Sequence, residues 1–349
     1  MTRPEPIPEV SSRERVVLAT VIRGYVESAR AVGSRWVARN SGLRLSPASI
    51  RNCMMDLEEK GLLTHLHTSG GRLPTNAGYR LYVDSVMKRT PLGKKLARTV
   101  DEELGRGRHR SLETFLEAAC TLLGQFSDQL SVVLSPRYDR SVVDRIELSQ
   151  VDERLLLVVF RMSTGLERTV VVRLDQGIDS EDLQRTLELV NAVGAGRMLA
   201  DIVSFREDEE MRVRMRGLAL VHAVVDGADT LRGDESNDHY HLWGTSNILA
   251  QPEFEDRKRL RAFFRALEAR DVVYDLLEPT RHRKNVCVTI GEEMPVKALK
   301  DCAIVAGSYR VGDYGGSVGV IGPTRMPYDH VVALVGHVAD TLGDVLARN

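Results

Sequence analysis

Between Val17 and Leu57 the apolar residues return every three or four positions, the interval that gathers side chains on one face of a helix. Val17, Val21, Ile22, Tyr25 and Val26 predict a first helix, capped by Ser11 or Ser12. Gly33-Ser34 opens a second, carrying Trp36, Val37 and Ala38, and Asn40-Ser41-Gly42 closes it. Ser46 is placed to cap a third: its hydroxyl accepts a backbone N–H, and Pro47 fits the first helical position, where a missing N–H costs nothing. Ile50, Met54 and Leu57 share one face of that helix, leaving Ser49, Arg51, Asn52 and Met55 on others, and Lys60-Gly61 ends it with a cation and a glycine. Leu62, Leu63, Leu66, Leu73, Tyr79 and Tyr82 then flank a polar centre, His67-Thr68-Ser69-Gly70-Gly71-Arg72, which predicts two short strands with a flexible tip.

Beyond Val86 the pattern lapses into Arg89-Thr90-Pro91-Leu92-Gly93-Lys94-Lys95, a linker. After a mixed-charge stretch ending in the basic run Gly105–Arg110, helical spacing resumes from Ser111 through Gln129, with an apolar stripe from Leu112 to Phe126. The period then changes. Ser131–Ser135, Arg145–Val151, Arg154–Met162 and Leu166–Leu174 are β-branched and apolar runs broken by Pro136, Asp152-Glu153 and Ser163-Thr164-Gly165, the pattern of antiparallel strands. Asp179 to about Asp226 reads as mostly helical. Strands are expected at His239–Gly244, Val286–Ile290, Cys302–Arg310 and Gly315–Gly322, and helices at Asp256–Leu267, Asp271–Leu277 and Tyr328–Leu346. The fold class is α+β. Gly315-Gly316-Ser317-Val318-Gly319 lacks the following Lys-Ser/Thr of a phosphate cradle and reads as a hairpin turn.

Composition narrows the picture. A chain of 349 residues exceeds one typical domain, and 43% hydrophobic with 28% charged residues allows sizeable buried cores. No apolar run reaches the ~18 residues of a membrane helix. The Pro- and Glu-rich opening Met1–Val10 has no apolar centre of a signal peptide and reads as a disordered tail, so a cytoplasmic protein without membrane contact is expected. Cys53, Cys120, Cys287 and Cys302 are scattered as reduced thiols, and His239 and His241 share a strand face with no third ligand nearby in sequence. Neither a metal nor another cofactor is expected. The net charge of −1 divides unevenly: residues 1–90 hold 14 Lys+Arg against 8 Asp+Glu, a balance of +6, leaving −7 for the remainder. A basic head on an acidic body is the asymmetry expected where one module meets phosphate and the rest meets protein or solvent.

Two short helices separated by a turn, the second followed by a hairpin, is the order of a winged helix-turn-helix. The stretch VGSRWVARNSGLRLSPASIRNCMMDLEEKGLLTHLHTSGGRLPTNAGYRLYVD resembles the N-terminal signature of the HrcA family, bacterial heat-inducible transcription repressors. WGTSNILAQPEF at Trp243–Phe254 is similar to that family's GTSN-LL-QPEF segment, and Ile290–Asp329, with LKDCAIVAGSYR and GVIGPTRMPYD, to its C-terminal block. In order, these blocks cover nearly the whole chain. Two departures are Gly70, where the wing commonly has Ala, and the Gly-Arg-rich connector after Leu104. The resemblance implies a winged helix-turn-helix domain over 1–90, a GAF-like α/β-sheet domain over 91–137 and 235–349, and an inserted dimerisation domain over 138–234. It further implies a homodimer that binds the inverted-repeat CIRCE operator ahead of chaperone genes, with the chaperonin GroEL promoting the active repressor.

The residue types at the head suit double-stranded DNA on their own chemistry. Small hydroxyls and bare N–H groups let a chain approach phosphates, while Arg51, Asn52 and Arg72 are types that read base edges or enter a minor groove. The candidates are Ser46, Ser49, Arg51 and Asn52 on the helix, Thr68, Ser69, Gly71 and Arg72 in the wing, and Gly33-Ser34 as a helix start set against phosphate. Each has a plainer role as a cap or turn residue. A second class of function is a small-molecule-responsive, GAF-type winged-helix regulator with Gly312–Gly316 at a pocket entrance, which a metabolite that shifts the melting temperature would reveal. No nucleophile, base and oxyanion arrangement emerges, so an enzyme is not expected.

Overall fold

The computed structural model describes residues 8–65, 71–105, 112–135, 142–163, 167–177, 179–204, 219–233, 240–281, 285–311 and 314–347. The chain divides into two compact units, one of Met1–Val133, His241–Tyr309 and Ser317–Leu342, the other of Leu134–Tyr240, Arg310–Gly316 and Gly343–Asn349.

The first unit begins with α1 (Ser12–Ser28), started by a reciprocal cap: the Ser11 hydroxyl accepts from Glu14 N–H at 3.3 Å, and the Glu14 carboxylate accepts from Ser11 N–H at 2.7 Å. Val17, Leu18, Val21 and Ile22 bury its inner face. Helix α2 (Ser34–Asn40) follows Gly33, and α3 (Pro47–Glu59) has Pro47 in its first turn and the Ser46 hydroxyl accepting from Ser49 N–H at 3.1 Å. Ile50, Met54 and Leu57 are buried as their spacing requires, with Cys53 beside them. Gly61, at φ +71°, ends the helix in a conformation that glycine adopts at little cost. Strands β1 (Leu63–Thr64) and β2 (Leu73–Pro74) pair antiparallel but are only two residues long each. Tyr79 and Tyr82 are not hairpin residues: they lie on α4 (Asn76–Leu81) and its π-helical continuation Tyr82–Val86.

After α5 (Lys94–Gly105), α6 (Leu112–Ser127) and β3 (Leu130–Leu134), the chain enters the second unit. There β4 (Val143–Asp152), β5 (Leu155–Met162) and β6 (Glu167–Arg173) form an antiparallel sheet in the order β4-β5-β6, followed by α7 (Ser180–Gly194), α8 (Leu199–Ser204) and α9 (Ala219–Gly233). Burial alternates strictly along β5, with Leu156, Val158, Phe160 and Met162 in a core shared with Leu199, Ile202, Val221 and Val224 of the helices. Leu157, Val159 and Arg161 point to the opposite face, where Leu157 pairs with Val171, which is 57% exposed.

The chain returns to the first unit through β7 (Tyr240–Trp243), α10 (Thr245–Leu249), α11 (Arg257–Glu268), α12 (Arg270–Arg281), β8 (Cys287–Ile290), β9 (Cys302–Val311), β10 (Tyr314–Pro323) and α13 (Tyr328–Leu346). Its five-stranded sheet runs β7-β3-β10-β9-β8. A Cβ on Gly307 would stand 3.4 Å from Val335 and Ala339 of α13, and one on Gly319 would meet Leu277 of α12 at 3.1 Å and the Val305 carbonyl at 2.9 Å. The glycine cluster expected to form a turn is therefore strand: Gly319 lets the neighbouring strand β9 and a helix approach closely, and the intervening 312–313 lie outside the described residues.

The helical head is locked to this sheet. Arg80 donates to both oxygens of Glu293, at 2.8 and 2.5 Å, and to the Val288 carbonyl at 2.6 Å. Arg325 clamps Glu253 at 2.6 and 3.1 Å, Gln251 at 2.9 Å and the Val26 carbonyl at 2.9 Å. Between them the rings of Tyr79 and Tyr328 lie 5.7 Å apart, both fully buried. Among the described residues no helix is long and apolar enough to cross a membrane.

Candidate nucleic-acid interface

The start of α2, the middle of α3 and the root of β2 converge on one shallow cleft of about 270 Å³, lined by Val32, Gly33, Ser34, Arg35, Arg51, Met54, Gly71 and Arg72. Five of the residues singled out from the sequence, Gly33, Ser34, Arg51, Gly71 and Arg72, thus meet in space across 39 positions of chain. Ser46, Ser49 and Asn52 lie elsewhere on the same helix or its cap, while Thr68 and Ser69 lie outside the described residues.

Each of these side chains has a local reason for its place. Ser46 and Ser49 spend their hydroxyls on the start of α3, with the two oxygens 3.1 Å apart. Ser49 follows the cap by three positions, where its backbone N–H would otherwise have no partner. Arg51 and Asn52 are exposed on the outer face, and Arg51 forms no ion pair with a described residue. Gly33 is exposed, and a Cβ there would meet nothing within 4 Å, so packing does not demand the glycine. Gly71 is the opposite case. A Cβ would come 2.6 Å from the Val32 carbonyl carbon and oxygen, a distance that backbone cannot accommodate without shifting.

That close approach stitches the root of β2 to the connection between α1 and α2. Val32 N–H donates to the Arg72 carbonyl and Arg72 N–H to the Val32 carbonyl, both at 2.9 Å. The Arg72 side chain turns back to Glu58, with Nη2 at 2.7 Å from Oε2 and 16% of the side chain exposed. Glu58 also bonds His65, so one carboxylate gathers two groups around the hairpin base. Burial raises the Glu58 pKa, but the His65 hydrogen bond and the Arg72 charge outweigh it and hold the carboxyl below its ordinary range. Arg72 therefore positions the hairpin through an ion pair, while Arg51 presents its cation outward.

The sequence reading missed Arg35, an exposed residue in the first turn of α2 that lines the same cleft as Arg51. Its position directly after the Gly33-Ser34 helix start was the available signal. Arg44, exposed just before the α3 cap, adds a further cation on this helix approach. Among the described residues no group of three or more His, Cys, Asp or Glu side chains is arranged to hold a metal ion.

A compact helical head that turns guanidinium, hydroxyl and glycine backbone around one cleft, locked onto an α+β body, has the layout of a transcription regulator. Comparison with known proteins makes the class particular. The HrcA protein C terminal domain family matches residues 113–332. The heat-inducible transcription repressor HrcA of Chlorobium phaeobacteroides is 34% identical over 97% of this chain and 98% of its own length. That of Xanthomonas axonopodis pv. citri is 34% identical over 96% of each. A crystal structure described as a hypothetical protein matches 97% of this chain and 99% of its own, with a TM-score of 0.63 and 20% identity, a likeness of fold. The chain belongs to the HrcA family of heat-inducible transcription repressors.

Proposed function

We propose that this chain represses chaperone operons by binding, as a homodimer, an inverted-repeat operator of the CIRCE type. The head, residues 1–90, acts as a winged helix-turn-helix with α3 as its recognition helix. The body, 91–137 with 235–349, is GAF-like, and 138–234 is the inserted dimerisation domain. The observation that carries the reading is the cleft: Arg51 and Arg35 stand outward beside the Gly33-Ser34 helix start, without ion pairs to described residues, while Glu58 is occupied with Arg72 and His65. The Arg35 cation beside the α2 start suits phosphate, and Arg51 with Asn52 suits base edges. Ser46, Ser49 and Gly71 shape the helix start and the hairpin root, and Arg72, Thr68 and Ser69 belong to the wing that flanks the duplex.

Dimerisation finds support in the second unit. The face of β5 and β6 turned away from its core carries Leu157, Val159 and Val171 at its centre, with Arg161, Glu147 and Glu167 ion-paired at the rim. Two copies of such a face bury their apolar centres together, and a two-fold assembly presents two recognition helices to the two halves of an inverted repeat. Promotion by GroEL rests on the family resemblance.

The experiment is a gel-shift titration of the purified chain on an inverted-repeat operator and a scrambled duplex, with and without GroEL and ATP. Preference for the operator, strengthened by the chaperonin, is expected. Arg51→Ala and Asn52→Ala should each reduce the preference by about tenfold or more, since one good base contact is worth about 1–3 kcal/mol, and should leave the dimer intact. Undiminished discrimination in both variants would remove α3 from the recognition role.

A further inference from the structure

A cavity of about 460 Å³ opens in the second unit between the end of β6, the turn that follows it, and helices α7 and α9. Its volume falls within the usual range of small-molecule sites. The lining separates by chemistry. Leu174 and Leu220 supply apolar wall, while Asp175, Asp179, Asp182 and Asp226 contribute four carboxylates against one guanidinium, that of Arg173. The Asp179 carboxylate is occupied in starting α7, accepting from Glu181 N–H at 3.0 Å. Asp175 and Asp182 accept no hydrogen bond from a described side chain and are exposed at the mouth.

Deeper in, the structure leaves a polar group unanswered. Thr186 is wholly buried, lines the cavity, and its hydroxyl has no hydrogen-bond partner among the described residues. It lies one helical turn beyond Asp182, on the same face of α7. A buried hydroxyl without a partner is unfavourable, and a donor reaching into the cavity would recover that loss.

We propose that this cavity binds a polyamine-like organic cation, a methylene chain carrying spaced ammonium groups. The apolar wall takes the methylenes, Asp175 and Asp182 take ammonium groups at the mouth, and Thr186 accepts a hydrogen bond from the group that reaches the floor. The charges are spread around the cavity rather than converged: among the described residues no three carboxylates or histidines are grouped to hold one metal ion. Spaced charge on the protein calls for spaced charge on the ligand. The site is independent of the DNA-binding reading.

The test is isothermal titration of the full chain, without DNA, using spermidine as probe and magnesium chloride at matched ionic strength as control. One saturable site per chain is expected, weakened by added salt and not occupied by magnesium. Asp175→Asn and Asp182→Asn should each weaken spermidine by about tenfold, the loss expected when one charge-assisted contact is removed. Thr186→Val separates a binding role from a structural one. It removes an unpartnered buried hydroxyl, so the free protein should melt no lower than the parent, while spermidine binding weakens severalfold. Absence of saturable binding, equal displacement by magnesium, or undiminished affinity in the Asp175 and Asp182 variants would overturn the site.

Discussion

Glu14 shows how a single carboxylate can be both buried and strongly acidic. Burial opposes its charge, yet Lys60 Nζ at 2.6 Å and the Ser11 N–H and hydroxyl bring its pKa down from 4.5 to about 2. A depressed folded value means that the carboxylate stabilises the head above its ordinary pKa and that the contribution fades as pH falls from 4.5 toward 2. Glu14→Gln should therefore cost about 1–2 kcal/mol at neutral pH, the scale of a partly screened charged hydrogen bond, and nothing further at pH 2. Urea denaturation at the two pH values checks this, and an equal loss at both would deny the linkage. The cysteines obey the same burial physics, and at Cys120 the hydrogen bonds that oppose burial are too weak to reverse it. Burial pushes the thiols of Cys120 and Cys302 up to about 12, so both stay protonated at neutral pH.

At the scale of elements, most helices were legible because their apolar periods survive packing. Helix α13 is observed at Tyr328–Leu346, the range its stripe predicts, and α3 starts at Pro47 after the Ser46 cap. Helix α5 was less legible: only Val100 and Leu104 of its twelve residues are buried, too few to stand out in a charged stretch. The cap of α3 allows stability and binding to be separated. Asp caps a helix as well as Ser does and favours the positive end of its dipole, but it brings a second negative charge toward phosphate. Ser46→Asp should melt within a degree or two of the parent and bind the operator at least about tenfold more weakly. A variant that folds and binds normally would place the start of α3 away from the duplex.

At the scale of the molecule, Arg325 joins segments that are far apart in sequence, holding Val26 of the head and Gln251 and Glu253 of the body at once. Burial opposes its charge, but its bonds to Glu253 keep it firmly protonated. Arg325→Met would leave the Glu253 carboxylate without its cation in a site where only 21% of that side chain is exposed. A loss of about 2–4 kcal/mol is expected, with the head unfolding before the body in a thermal scan followed by hydrogen exchange. A single unchanged transition would show that the clamp does not hold the head. For the second unit, Val171→Arg sets a cation in the proposed apolar contact. If the proposed dimer forms through this face, the variant should be a monomer in light scattering and bind an inverted repeat far more weakly, since a lone head would read only half of it. A dimer that persists would move the interface off this sheet face.

The sequence by itself determined the local elements: helix periods, the Ser46 cap and a first cap at Ser11 or Ser12, the strand runs, and blocks of residues specific enough to place the chain in its family. Those signals are carried by neighbours within one or two turns and need no knowledge of the fold. Tertiary structure decided which polar groups remain available. Arg51 and Arg72 look equivalent in sequence, yet only Arg72 has Glu58 within reach. Tyr79 and Tyr82 look like hairpin anchors, yet Tyr328, 249 positions after Tyr79, supplies the aromatic contact within the core. Thr186 looks like an ordinary helix residue until three separate segments enclose its hydroxyl without answering it. Pairing and desolvation depend on distances across the fold, and these are fixed only when distant segments close on one another.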